Sequence, residues 1–101
     1  MVRHIVLLKI KPDVSTDAIN ELFGDLVALK DKVPGIVNVD WGPNTSPEGK
    51  GQGFSYGFIM DFDTPASRDA YLPHPDHDLV KTKIINAITG VDDVLVFDYE
   101  V

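Results

Sequence analysis

The sequence predicts an α+β fold in which helices cover one face of a four-stranded antiparallel sheet. Apolar residues recur at the spacings of a strand, a helix, two strands, a pair of helices and a last strand, in that order. With 101 residues, 44% of them hydrophobic, the chain has material for one core, so residues 1–101 are expected to form one domain. The first strand is apolar on both faces, which indicates that something also covers the far side of the sheet.

Residues 2–11 read as the first strand, because they are rich in Val, Ile and Leu and stop at Pro12. One face carries Val2, His4, Val6, Leu8 and Ile10, and the other carries Arg3, Ile5, Leu7, Lys9 and Lys11. Ser15 then offers an N-cap for the first helix. Its apolar residues recur at helical spacing until Pro34-Gly35.

Residues 36–42 and 53–62 alternate apolar and polar side chains, so each is expected to be a strand, the former half-buried. The irregular segment 43–51 between them is expected to be a mobile loop. A short helix should open at Asp63-Thr64-Pro65 and stop at Leu72, a second should run from Pro75 to near Gly90, and residues 94–101 should form the last strand. This order gives the ferredoxin-like βαββαβ plan.

The amino-acid composition argues against several classes of function. The formal net charge of −7, with scattered basic residues, argues against a nucleic-acid partner. The absence of cysteine excludes disulfides, thiolate nucleophiles and thiolate metal sites. The apolar run at the N-terminus is too short for a signal peptide or a membrane span, so a cytoplasmic protein with no membrane partner is expected.

The connector Tyr71-Leu72-Pro73-His74-Pro75-Asp76-His77 carries the candidate chemistry, since it holds two of the three histidines. His77 should lie in the first turn of a helix and share its inward stripe with Val80, Ile84, Ala87 and Ile88. The positive end of the helix dipole would keep the ring neutral, as a general base requires. The alternative is structural: His77 as a hydrogen-bonded core histidine, and Tyr71 as a half-buried ring.

A metal site in the same connector is disfavoured. His74, Asp76, His77 and Asp78 are potential ligands, but Pro75 places the two histidines in different backbone geometries and no distant ligand completes a set. The two aspartates are explained as first-turn charges that complement the helix dipole. We therefore predict neither a metal nor a cofactor.

Helices on one face of the sheet leave the other face bare. Ile5 and Leu7 would then lie on that bare face with apolar residues of the other strands, which is too much apolar surface for a monomer. We expect the partner to be a second copy of the chain, giving a homodimer.

Several segments resemble the stress-responsive A/B barrel domain family. They are residues 3–11, Pro34-Gly35-Ile36, Trp41-Gly42, residues 69–77 and residues 96–99, of which Tyr-x-x-His-Pro-x-His is the most specific. The resemblance spans essentially the whole chain and implies a dimeric α+β barrel. In a plant polyketide cyclase of this family type, a histidine and a tyrosine perform a cofactor-free aldol cyclisation. The matching positions are His77 and Tyr71, while His4 matches a cavity histidine and Leu26 stands where the cyclase has a tyrosine.

Two functions follow from these residues. In one, the dimer holds a small carbonyl or aromatic ligand in a pocket lined by His4, Tyr71 and His77, without an established reaction. In the other, His77 is the base of a polyketide cyclase or lyase, Tyr71 donates to the developing oxyanion, and His4 orients the substrate or His77. A closed core with His77 bonded to a backbone carbonyl would favour the first, and an open cleft onto which both residues converge would favour the second.

Overall fold

A computed structural model describes residues 1–101 and has the predicted ferredoxin-like topology. The elements are β1 (Val2–Leu8), α1 (Thr16–Ala28), β2 (Ile36–Pro43), β3 (Tyr56–Phe62), α2 (Pro65–Tyr71), α3 (Pro75–Ala87) and β4 (Val94–Glu100). The strands form one antiparallel sheet in the order β2-β3-β1-β4. No helix is long and apolar enough to cross a bilayer.

The predicted two faces of β1 are confirmed. Buried and partly buried residues alternate along the strand, and the buried set faces the helices. The core joins this set to the inner residues of β3 and α1, namely Val2, Val6, Leu8, Phe58, Met60, Phe62, Ile19, Leu22, Phe23 and Leu26. Phe23 of α1 also stacks on Trp41 of β2 at 4.4 Å between ring centroids, which fixes the helix over that side of the sheet.

The opposite face of the sheet has no helix, as expected. Its apolar side chains are Ile5, Leu7, Ile59, Leu95, Phe97 and Tyr99, and we call this set the outer face. Phe97 is 59% exposed and Tyr99 is 44% exposed. Arg3 and Asp61 form an ion pair on the same face, with Nε and Oδ1 2.9 Å apart.

Two strands are shorter than predicted. β1 ends at Leu8 because the backbone N–H of Lys9 then donates to the Asp93 carbonyl, and the N–H of Lys11 to the Ala87 carbonyl, outside the ladder. β3 begins at Tyr56, since the N–H of Phe54 closes a turn onto the Gly51 carbonyl. The segment between β2 and β3 also contains local side-chain hydrogen bonds, from the N–H of Ser46 to Oδ1 of Asn44 and from the N–H of Glu48 to Oγ of Ser46.

Two other predicted elements also differ in detail. The strand at 36–42 is present as β2, but a register shift between Ile36 and Asn38 leaves Val37 46% exposed. α3 ends at Ala87 rather than near Gly90. The Asp93 carboxylate accepts from the N–H groups of Thr89 and Gly90 and so holds these residues outside the helix.

Candidate functional site

The connector between α2 and α3 is a tight joint, as its two prolines predict. α2 ends with Leu72 as its C-cap, and Pro75 is the first residue of α3. His74 is the N-cap of α3: its backbone is extended, and its ring Nδ1 accepts from the N–H of Asp76 at 3.1 Å. One ring nitrogen of His74 is thus used for capping, and His74 does not line the cleft described below.

His77 lies in the first turn of α3, and its inward stripe is present. Val80, Ala87 and Ile88 are buried, and His77 itself is half-buried. The His77 Nδ1 is 2.9 Å from the carbonyl oxygen of Leu72. Because a carbonyl only accepts hydrogen bonds, Nδ1 carries the proton and Nε2 of the neutral ring keeps its lone pair. This is the tautomer in which Nε2 can accept a proton.

Burial is the main cause that lowers the pKa of His77, and the positive charge of Lys81 adds to it. The Leu72 carbonyl and the Asp78 carboxylate act in the opposite direction. The direction agrees with the sequence-based expectation of a neutral ring. The largest cause of the lowered pKa is desolvation, whereas the sequence-based expectation rested on the helix dipole.

Tyr71 ends α2 and is only 1% exposed, so its ring belongs to the core. The ring centroid lies 4.2 Å from that of His77 and 5.2 Å from that of Phe62. The hydroxyl has no hydrogen-bonding partner in the protein. Because every fully buried side-chain N or O atom does have a partner, the hydroxyl is not fully buried, and Tyr71 lines the cleft. Burial raises the pKa of Tyr71, which keeps the phenol protonated as a hydrogen-bond donor.

His4 faces the helices from the middle of β1 and is buried, at 6% exposure. Its Nδ1 lies 2.7 Å from Oδ1 of Asp98, which stands directly opposite on β4. The other carboxylate oxygen of Asp98 accepts from Nη1 of Arg68 at 2.9 Å. His4 is therefore oriented by Asp98, and it makes no hydrogen bond with His77.

These three side chains meet at one cleft of about 520 Å³ between α3 and the β1–β4 edge of the sheet. The helices do not close over β4, so Val96 on the inner face is 57% exposed. The remaining walls are mostly apolar: Val6, Phe58, Leu72, Ile84, Ile85, Ile88, Val91 and Val94, with Lys81, Thr89 and Gly90. Leu26 is buried in the core and does not line the cleft.

A second cavity of about 560 Å³ lies on the other side of the sheet, beneath the turns that follow β2. Its lining includes Leu7 and Leu95 of the outer face. The only ionisable side chains in it are those of Lys50 and Tyr56, and it contains no histidine or carboxylate. We therefore place the candidate site in the histidine-lined cleft. No group of three or more His, Cys, Asp or Glu side chains is arranged to hold a metal ion.

Comparison with known proteins identifies the family of the chain. The model of the Stress Responsive A/B Barrel Domain matches residues 2–101. The chain belongs to this family. It is 29% identical over 99 residues to the stress-response A/B barrel domain-containing protein HS1 of Arabidopsis thaliana, covering 98% of this chain and 88% of that protein. It is 26% identical over 76 residues to olivetolic acid cyclase of Cannabis sativa, covering 75% of each.

Solved structures show the same fold. A dimeric ferredoxin-like protein of unknown function from Jannaschia sp. CCS1 superposes with a TM-score of 0.88 at 33% identity, covering 99% of this chain and 98% of that one. That protein shares the ferredoxin-like fold along nearly its whole length.

Sequence reasoning did not assign a role to Asp98, Arg68 or Lys81 in this A/B barrel chain. Asp98 gave a usable signal, because it interrupts the inward apolar row of β4 that contains Val94 and Val96. A carboxylate at an inward strand position requires a partner, and strand register places His4 opposite it. Arg68 gave no comparable signal, since an arginine in a short helix is ordinarily solvent-exposed.

Proposed function

We propose that the chain is a homodimeric A/B barrel protein that binds a small, largely apolar carbonyl compound in the cleft lined by His4, Tyr71 and His77. The observation that carries this proposal is the set of three polar atoms facing the cleft. No protein group forms a hydrogen bond with Nε2 of His4, Nε2 of His77 or the hydroxyl of Tyr71. Every fully buried side-chain N or O atom has a hydrogen-bond partner, so these three atoms are accessible, and their residues line the cleft. An apolar cavity with a few convergent polar groups is the usual form of a small-molecule site.

The outer face supports the homodimer. Six apolar side chains form a contiguous surface there, with Phe97 more than half exposed. The Jannaschia relative is described as dimeric, as are two more distant structural neighbours. A face-to-face pairing of two sheets would cover this surface in both protomers and leave each cleft on its own helical side.

The second candidate is catalysis of the polyketide cyclase kind, and the geometry of His77 favours it. A base that removes a proton α to a carbonyl needs a neutral imidazole with a free nitrogen, and His77 has both. Tyr71 is adjacent and keeps its proton. The similarity to olivetolic acid cyclase covers three quarters of the chain.

The reaction would proceed as an intramolecular aldol addition. The C–H bond α to a ketone breaks, its proton moves to Nε2 of His77, and the electron pair passes to the carbonyl oxygen as an enolate. The Tyr71 hydroxyl donates a hydrogen bond to that oxygen as charge develops. The enolate carbon then attacks a second carbonyl of the same molecule, and the proton on His77 is returned to the new alkoxide.

One probe tests both candidates. Ethyl benzylacetoacetate has an apolar ring, two carbonyl groups and one acidic α-hydrogen, whose exchange for deuterium is followed by proton NMR. If the cleft is a binding site, adding the ester shifts the resonances of cleft residues in the wild type but not in Val96→Trp, where the indole fills the cleft. Leu79→Trp is the matched control, because Leu79 lies on α3 at 69% exposure outside the cleft.

The same samples separate binding from catalysis. If the wild type exchanges the α-hydrogen faster than buffer alone does, and His77→Gln does not, the enzymatic role is supported. Binding of the ester without faster exchange would support the ligand-binding role. If the ester shifts no cleft resonance, or shifts them equally in Val96→Trp, the proposed site is wrong.

A further inference from the structure

A network of three side chains stands behind the cleft and is not used by the reaction outlined above. It runs from Arg68 on α2 to Asp98 on β4 and from there to His4 on β1, with distances of 2.9 Å and 2.7 Å. The side chains of His4, Asp98 and Arg68 are 8%, 20% and 25% exposed. Three separate elements therefore contribute to one largely enclosed polar chain.

Each oxygen of the Asp98 carboxylate has its own donor. Oδ2 accepts from Nη1 of Arg68, and Oδ1 lies against Nδ1 of His4. Since a carboxylate only accepts, Nδ1 of His4 must carry a proton. In the neutral ring this leaves Nε2 as an acceptor, and Nε2 has no protein partner and is not sealed from the cleft.

We propose that Arg68 and Asp98 are positioning residues that hold His4 in the Nδ1–H tautomer, so that its Nε2 accepts a hydrogen bond from the ligand. The inference rests on the proposed function, in that the ligand occupies this cleft. It adds a requirement to the ligand's chemistry. Tyr71 donates to a carbonyl oxygen, whereas His4 accepts, so the ligand presents both a carbonyl and a hydroxyl, as an enol of a dicarbonyl or a hydroxyketone does.

The network makes a specific prediction for Asp98→Asn. Arg68 can only donate, so it holds the oxygen of the new amide and turns the NH₂ group toward His4. Nδ1 of His4 must then accept, and the ring proton moves to Nε2. The substitution thus converts the cleft-facing nitrogen from an acceptor into a donor without removing a side chain. A similar tautomer inversion underlies the activity lost when the aspartate of a catalytic triad is changed to asparagine.

Nitrogen-15 NMR of the imidazole rings at alkaline pH measures this directly, with assignments from single histidine variants. We expect Nδ1–H for His4 in the wild type and Nε2–H in Asp98→Asn. Asp69→Asn is the matched control, because Asp69 also accepts from Arg68, at 2.8 Å, but does not contact His4 and is 66% exposed. His4 should keep the Nδ1–H form in that variant.

A second substitution supplies a rescue. In Asp98→Asn/Arg68→Met the guanidinium is gone, the amide is free to turn its oxygen toward His4, and the Nδ1–H form should return. A merely structural role for Arg68 predicts no such recovery. If Asp98→Asn does not fold, the wild-type spectrum still tests the proposal, because an Nε2–H form of His4 in the wild type would overturn it. An unchanged tautomer in folded Asp98→Asn overturns it as well.

The ligand requirement is tested with α-hydroxyacetophenone and its methyl ether, which differ in one donor. We expect the wild type to bind the hydroxyketone about tenfold more tightly than the ether, the equivalent of one well-formed hydrogen bond, and Asp98→Asn to lose that preference. Equal binding of the two compounds by the wild type would refute the ligand requirement. Binding of neither would count against the cleft as the ligand site, and the tautomer measurements would still decide the role of Arg68 and Asp98.

Discussion

Tyr71→Phe separates a functional role from a structural one, because the substitution removes only a hydroxyl that makes no hydrogen bond within the protein. The ring would stay packed against Phe62 and His77, whose centroids lie 5.2 Å and 4.2 Å away. No buried partner is left unpaired by the change. We therefore expect the free energy of unfolding to change by less than about 1 kcal/mol. For a chain of this size that corresponds to a shift in Tm below about 8 °C.

The effect on the proposed chemistry should be much larger. If the Tyr71 hydroxyl donates to a developing enolate, its removal should slow α-hydrogen exchange in ethyl benzylacetoacetate about 100-fold, the usual cost of losing one oxyanion donor. If the protein binds a carbonyl compound without turning it over, the loss appears instead as weaker binding, by about 0.5–1.5 kcal/mol for one neutral hydrogen bond.

Three measurements on the same variant test this reasoning. Thermal unfolding followed by circular dichroism gives the stability, NMR gives the exchange rate, and titration gives the affinity. Tyr71→Ala is the contrasting variant, because removing the whole buried ring should cost about 3–5 kcal/mol. A loss of cooperative folding in Tyr71→Phe would return this residue to a purely structural role. Unchanged exchange and unchanged binding would exclude it from the site.

Four other predictions concern the outer face, His77 and His74. Leu7→Lys places a charge on the outer face and should convert the proposed dimer to a monomer of 11.1 kDa in light scattering, while Val37→Lys at the β2 bulge should not; a monomeric wild type would refute the face-to-face pairing. Burial and Lys81 lower the pKa of His77, so the stability that the neutral ring contributes is present above about pH 6.5 and is lost as the pH falls. Lys81→Gln should raise the His77 pKa in an NMR titration, and an unchanged value would show that this charge has no influence. His74→Ala removes the N-cap of α3 and should cost about 0.5–2 kcal/mol in denaturant unfolding without weakening ligand binding.

The sequence was sufficient for the fold because its strongest signals are local. Alternation along β1, the Ser15 N-cap and the prolines of the connector each specify a backbone conformation within a few residues. The errors are at the ends of elements. There, hydrogen bonds to residues outside the element decide, such as those that the Asp93 carboxylate accepts from Thr89 and Gly90, just after the helix ends at Ala87. Helical spacing alone gives no information about that partner.

The candidate site was only partly predictable for the same reason. The stripe along α3 predicts that His77 points inward, and His77 is half-buried in the structure. The tautomer of His77 depends on the Leu72 carbonyl, and that of His4 depends on a residue 94 positions away in the chain. Such contacts are set by strand register and by the turn between two helices, so they appear only once the tertiary structure is known.

The hydrogen bond from His77 to a backbone carbonyl is compatible with a role in proton transfer. The bond satisfies Nδ1 and so leaves Nε2 free, and the cleft beside it is open. The two imidazoles differ in the group that accepts from Nδ1: a backbone carbonyl for His77 and a carboxylate for His4. In an enzyme of the cyclase kind, His77 would accept the α-proton, whereas His4 would accept a hydrogen bond from the substrate. His4→Gln and His77→Gln should then slow α-exchange to different extents, whereas a site that only binds would lose affinity in both and accelerate exchange in neither.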